Sequence, residues 1–133
     1  MGSNPREFSN MDALTYAPNG RILVVDDNAH ALQAMSKLLE FEGFSVLTAR
    51  NGLDALNKMR TADHISLVLL DLWMPVMDGW EFLRRKRGDV DIAEIPVVVL
   101  SAVPPVSLDG AQTILKKPVD IKPLVNAVRR FSK

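Results

Sequence analysis

Five side chains in this sequence have the types and the order for phosphorus chemistry: Asp26, Asp27, Asp71, Ser101 and Lys117. Asp26 and Asp27 directly follow the apolar run "ILVV" at 22–25. Adjacent carboxylates repel, and burying either is costly without a partner. A hard divalent cation is one such partner. Mg²⁺ takes oxygen ligands and keeps several waters, so a few carboxylates suffice to hold it. An aspartate beside a metal can also act as a nucleophile toward phosphorus, giving an aspartyl phosphate. Mg²⁺ and Lys117 would neutralise the transferring phosphoryl group, and the Ser101 hydroxyl would hydrogen-bond one of its oxygens.

These groups act together only if the chain brings them to one place, and the pattern around them does so. "RILVV", "FSVLTA", "ISLVLLD", "IPVVVLSA" and the short "TILK" read as strands by length and β-branched content. The third is apolar at nearly every position, which suits a parallel strand covered on both faces. Helical periodicity fills the gaps. "NAHALQAMSKLLEFEG" places Leu32, Met35 and Leu39 on one face and stops at Gly43. "NGLDALNKMRTA" turns Ala55, Leu56 and Met59 inward, and "DGWEFLRRKR" is read with Trp80 and Leu83 inward. "DIKPLVNAVRRF" aligns Ile121, Leu124, Val125, Val128 and Phe131, with Pro123 tolerable in the first turn. Strand–helix alternation with short links predicts an α/β doubly wound parallel sheet. The site of such a sheet lies beyond the carboxyl ends of its strands. Asp26 and Asp27 end the first strand, Asp71 the third, Ser101 the fourth and Lys117 the fifth.

Composition narrows the rest. The chain has 133 residues, enough for one domain with its own core. Sixteen basic and sixteen acidic residues cancel, so no net field draws it to nucleic acid or an anionic membrane. With no cysteine there is no disulfide, thiolate zinc site or cysteine nucleophile. No apolar run reaches the ~18 residues of a membrane span, and a signal-peptide core is absent, so a soluble cytoplasmic protein is expected. The basic run at Arg84–Arg87 fits a solvated helix C-terminus better than a nucleic-acid patch, and Lys86 falls where its stem can run along the core. His30 and His64 show no metal-ligand pattern, and Trp80 is expected in the core rather than as a cofactor platform.

Taken together, "VVDDN", "DLWMPVMDGWE", "VVVLSA" and "KKP" resemble the motifs of a response-regulator receiver domain. The resemblance covers about residues 20–132. The domain is accordingly placed at 21–133, after a tag remnant and linker at 1–20. It implies a flavodoxin-like five-stranded parallel sheet in the order 2-1-3-4-5. It makes Asp71 the phospho-acceptor and Asp26 and Asp27 the acidic pair that binds Mg²⁺ together with Asp71 and the Trp73 backbone carbonyl. Ser101 becomes the switch hydroxyl, with the small Ala102 beside it, and Lys117 the family's lysine, followed by a cis proline at Pro118. The implied role is acceptance of a phosphoryl group from a histidine kinase or phosphotransfer protein, to switch a surface read by a downstream protein or the chain's own effector domain. Homodimer formation is compatible with it. Such a domain is not an enzyme in the usual sense, although it assists its own phosphorylation and dephosphorylation, and it needs no organic cofactor.

The sequence departs from that family in one interval and at three single positions. Lys117 follows Ser101 by 16 residues, about six fewer than the family pattern, or roughly 9 Å of helix. Pro104 and Pro105 would also break a helix there, so the fourth helix is predicted to be shortened or irregular and the partner surface non-standard. Ile114 stands where the family's switch aromatic would be. Trp73 and Val103, both apolar, stand where side chains of this family influence water attack, which predicts slow autodephosphorylation. Other readings fit less well. A haloacid-dehalogenase-type phosphatase needs an acid two residues after its nucleophile, where this chain has Trp73. A flavodoxin-like cofactor module needs a Ser/Thr/Gly-rich phosphate loop where "DDNAH" stands. A pseudo-receiver that only binds protein remains compatible with the shortened fourth helix. Either a stand-alone regulator or a receiver from a larger protein, such as a hybrid histidine kinase, is consistent with the sequence.

Overall fold

A computed structural model describes residues 20–62 and 64–132. The tag remnant and linker expected at 1–20 therefore lie outside the described residues, apart from Gly20. Five strands and four helices follow in the order β1 (Arg21–Val25), α1 (Ala29–Phe41), β2 (Ser45–Ala49), α2 (Gly52–Thr61), β3 (Ile65–Asp71), α3 (Gly79–Arg87), β4 (Val97–Ser101), β5 (Thr113–Lys116) and α4 (Ile121–Phe131). The strands are all parallel, in the order β2-β1-β3-β4-β5. No helix among the described residues is long and apolar enough to cross a membrane.

The continuous apolar strands are explained by cores on both faces of the sheet. Leu23, Val25, Val68, Leu70, Val97 and Val99 point to one face, against Ala55, Leu56 and Met59 of α2 and Phe82 and Leu83 of α3. Ile22, Val24, Leu67, Leu69, Val98 and Leu100 point to the other, against α1 and α4. Alternate residues of one strand thus serve opposite cores. Three of the helices are begun by side chains that accept from backbone N–H groups otherwise unpaired at a helix start. Asn28 accepts from Ala31, Asn51 from Asp54 and Asp78 from Glu81, at 3.0, 2.8 and 2.9 Å.

Between β4 and β5 no helix forms. Residues 102–112 are irregular, as the interval and the two prolines predict. The segment still covers the sheet, with Leu108 and Ala111 packed on the α2–α3 face. Its far end is held by a reciprocal pair, Gln112 N–H to Val97 O and Val97 N–H to the Gln112 side-chain oxygen, both 2.8 Å.

Helix α3 corrects the sequence reading. Gly79, Phe82, Leu83 and Lys86 form its buried stripe, while Trp80 is 37% exposed. These four positions are spaced i, i+3, i+4, i+7, the inward pattern of a helix. Gly79 is required by close approach, since a Cβ there would meet Leu72 Cα at 2.8 Å. Lys86 lies deeper than a snorkelling side chain. Its ammonium donates to Ala93 O at 2.7 Å, and burial pulls its pKa below the ordinary 10.5, with Glu94 opposing. On α4, Ile121 is also misread: it is 56% exposed, and Ala127 is buried in addition to Leu124, Val125 and Val128.

The two aromatic residues of α3 should therefore separate cleanly in urea unfolding. Phe82→Ala is expected to cost about 3–5 kcal/mol, as for an enclosed aromatic. Trp80→Ala is expected to cost less than about 1.5 kcal/mol, the scale of one aromatic pair contact. Equal costs would contradict the orientation described for the helix.

Candidate functional site

Parallel register carries the polar strand ends to one place. Val25 of β1 lies beside Leu70 of β3, so Asp26 and Asp71 are the next residues on neighbouring strands. Asp71 lies beside Leu100 of β4, which puts Ser101 one step further on. Ser101 pairs with Lys116 of β5, and Lys117 N–H donates to Ser101 O at 2.9 Å. The following Lys117–Pro118 peptide bond is cis, as the resemblance implied.

The geometry is that of a charge cluster. Asp26, Asp27 and Asp71 each offer a carboxylate oxygen, and these lie within 4.8 Å of one another. The Lys117 ammonium stands 3.3 Å from Asp26 Oδ2 and 3.6 Å from Asp71 Oδ2. Asp26 is further fixed by the Asn28 N–H, 3.0 Å from its Oδ1. The Asp26 and Asp71 side chains are only 11% and 12% exposed, whereas Asp27 faces solvent. Burial pushes the Asp71 pKa above the ordinary 3.8. Lys117 pulls it down, Asp26 pushes it up, the Trp73 N–H pulls it down and Asp27 pushes it up. Beside this cluster the Ser101 hydroxyl is fully buried and, among the described residues, has no hydrogen-bond partner. Three convergent carboxylate oxygens with no nitrogen or sulfur donor suit a hard cation such as Mg²⁺. Such an ion would supply the positive charge that one ammonium leaves short.

The loop that leaves Asp71 is tightly held. Trp73 N–H faces Asp71 Oδ1 at 3.4 Å. Gly79 N–H donates to Leu72 O at 2.8 Å, and Gly52 N–H to Met77 O at 3.2 Å. Met77 N–H donates to Pro75 O at 2.8 Å, closing a three-residue turn with Val76 at φ +72°. A β-branched residue in that region is strained and persists only where its surroundings fix it. The Trp73 indole is 62% exposed and packs edge-on against Trp80, with centroids 4.9 Å apart and planes at 71°. This contact is absent from the sequence reading, which placed Trp80 in the core. The stripe spacing of Gly79, Phe82, Leu83 and Lys86 was the signal for it. Trp80 also borders a groove of about 630 Å³ between α3 and residues 107–109, lined with Leu83, Arg84, Arg87 and Leu108. That groove contains none of the clustered carboxylates. Ile114, where the switch aromatic was expected, is partly buried on the α2–α3 face. His30 and His64 are exposed and outside the cluster.

A family model described as the response regulator receiver domain matches residues 22–129. The chain belongs to the response-regulator receiver domain family. Among curated relatives, the response regulator MprA of Mycobacterium tuberculosis is 38% identical over 115 residues, 82% of this chain and 49% of the relative. The CpxR homolog of Haemophilus influenzae, a transcriptional regulatory protein, is 43% identical over 82 residues, 62% of this chain and 34% of the relative. The chain thus spans a third to a half of the length of these relatives. Among solved structures, the signal receiver domain of a signal transduction histidine kinase from Syntrophus aciditrophicus superposes with a TM-score of 0.78 at 29% identity, covering 85% of this chain and 89% of that one. The response regulator TrrA of Thermotoga maritima, solved in complex with Mg²⁺-BeF, gives 0.76 at 28% identity, covering 84% and 98%. The receiver domain is the phospho-accepting module of two-component signalling, and its acidic pocket here is Asp26, Asp27 and Asp71.

The electrostatics of the metal-free receiver domain can be tested directly. Asp71 is expected to titrate above 3.8 in carboxyl-carbon NMR, and Lys117→Met is expected to raise its pKa further, because Lys117 is the main lowering influence. With a folded pKa above the unfolded one, the stability Asp71 contributes is fully present below pH 3.8. It is lost as pH rises through the folded value. A downward shift in Lys117→Met would contradict the assigned geometry.

Proposed function

We propose that Asp71 accepts a phosphoryl group from the phosphohistidine of a histidine kinase or phosphotransfer protein. The observation that carries this reading is the convergence of three carboxylates on one ammonium beside a buried, unpartnered hydroxyl. An Asp71 oxygen attacks phosphorus, the P–N bond to the histidine breaks, and the imidazole leaves. Asp26, Asp27, Asp71 and the Trp73 carbonyl would hold Mg²⁺, which supplies charge neutralisation at the phosphoryl oxygens. Lys117 gives up its contact with the Asp71 oxygen to the incoming phosphoryl group. Ser101 donates its otherwise unpaired hydroxyl to a phosphoryl oxygen. The domain assists its own phosphorylation without turning over a substrate as an enzyme does.

The added charge then biases the Ser101 loop and its neighbours. Residues 102–112 carry no helix, so the surface offered to a downstream protein, an effector domain or a second copy differs from the family's usual one. We take residues 21–133 as the receiver unit, acting in the cytoplasm.

Intact mass after incubation with Mg²⁺ and acetyl phosphate tests the reading. One phosphate is expected on the parent and none on Asp71→Asn. A folded, Mg²⁺-binding parent that gains none with acetyl phosphate or with a phosphohistidine donor would identify a phosphorylation-independent binding module instead. Phospho-lifetime is a separate test. The apolar side chains of Trp73 and Val103 offer no acceptor to orient a water and only obstruct its approach, so removing their bulk in Trp73→Ala and Val103→Ala is in each case expected to shorten it. An unchanged lifetime in both would exclude them as determinants.

A further inference from the structure

We propose that Trp80 is a positioning residue that braces the Trp73 indole as an apolar wall against water attack on phosphorylated Asp71. The proposal rests on the acceptor role of Asp71 argued above. Hydrolysis of the aspartyl phosphate forms a bond from water oxygen to phosphorus and breaks the bond from phosphorus to the Asp71 oxygen. Asp71 leaves as a carboxylate, and the water protons pass to phosphate and solvent. The Trp73 backbone N–H faces the Asp71 carboxylate, and in this proposal its indole takes up space that the attacking water needs. Its ring nitrogen is only a donor, so it cannot take the proton.

The wall works only if the ring stays in place. The backbone from Leu72 to Gly79 is fixed by the hydrogen bonds at Gly79, Met77 and Gly52. That fixes the Trp73 Cα but leaves its largely exposed ring a choice of rotamers. The edge-to-face contact with Trp80 favours one of them. Trp80 is itself on rigid ground. It sits in the first turn of α3, after the Asp78 cap and the Gly79 close contact with Leu72. A ring borne by a helix thus holds a ring borne by a loop.

The test uses the full chain, phosphorylated with acetyl phosphate and Mg²⁺ and then freed of the donor, with loss of phosphate followed by intact mass. Trp80→Ala is expected to lose phosphate about threefold to tenfold faster, the rate equivalent of one aromatic pair contact. Trp80→Phe is expected to stay near the parent rate. The double variant Trp73→Ala/Trp80→Ala is expected to decay no faster than Trp73→Ala, since the brace has nothing left to hold. A second readout is independent of phosphate. Both single Trp80 variants leave Trp73 as the only tryptophan. Acrylamide should quench it more strongly in Trp80→Ala than in Trp80→Phe. A Trp80→Ala decay at the parent rate, or Trp73 and Trp80 effects that multiply, would overturn the proposal while leaving the acceptor reading intact. A parent that takes up no phosphate from any donor removes both, whatever the quenching shows.

Discussion

Three carboxylates share one ammonium at the mouth of this sheet, and the rest of the molecule is arranged around that imbalance. With all three ionised, Lys117 balances one charge and two remain. Asp26 and Asp71 are mostly withdrawn from water, so solvent screens them poorly. The consequence shows at Asp71, whose proton is held more tightly than that of a free aspartate. A second cation relieves this strain, and so does a reaction that draws the ammonium onto a new anion. The same unbalanced charge is what a divalent ion, and after it a phosphoryl group drawn to Lys117, would relieve in the function proposed here.

Register in the parallel sheet keeps this cluster together, and local events elsewhere leave it intact. The clearest case is the missing helix between β4 and β5. Residues 102–112 follow no regular path, yet Ser101 and Lys117 still meet. Lys117 N–H reaches Ser101 O, and Gln112 and Val97 exchange two hydrogen bonds at the other end of β4. The connection is pinned at both ends, and Leu108 and Ala111 hold its middle against the α2–α3 face. Site geometry and the exposed surface are therefore specified by different residues of the same segment.

Much of this was legible in the sequence because strands covered on both faces are written as unbroken apolar runs. Their carboxyl ends can be read to within a residue, and the candidate site residues lie at or just beyond them. The absent helix was legible from Pro104, Pro105 and the short interval to Lys117. Helix α3 was misread at Trp80, which was placed inward beside Leu83. Trp80 has the larger side chain, but Phe82 completes the inward stripe. The inward stem of Lys86 was legible, but its amine is buried too and is satisfied by a carbonyl seven residues on, a pairing no local pattern announces. The Trp73–Trp80 contact joins a loop to a helix across a turn whose strained Val76 conformation is not written in residue type. The elevated proton affinity of Asp71 depends on burial, which only the packed structure reveals.

The buried amine of Lys86 has a mechanical consequence. Helix α3 cannot slide along its axis without pulling that ammonium off the Ala93 carbonyl, and an unpaired charge in a dry site costs several kcal/mol. Its C-terminal end is therefore tied to the segment that follows it. The N-terminal end is tied as well, through the Asp78 cap and the Gly79 N–H on Leu72 O. Held at both ends, α3 is a strut rather than a hinge, and the indole contact at its first turn inherits that stiffness.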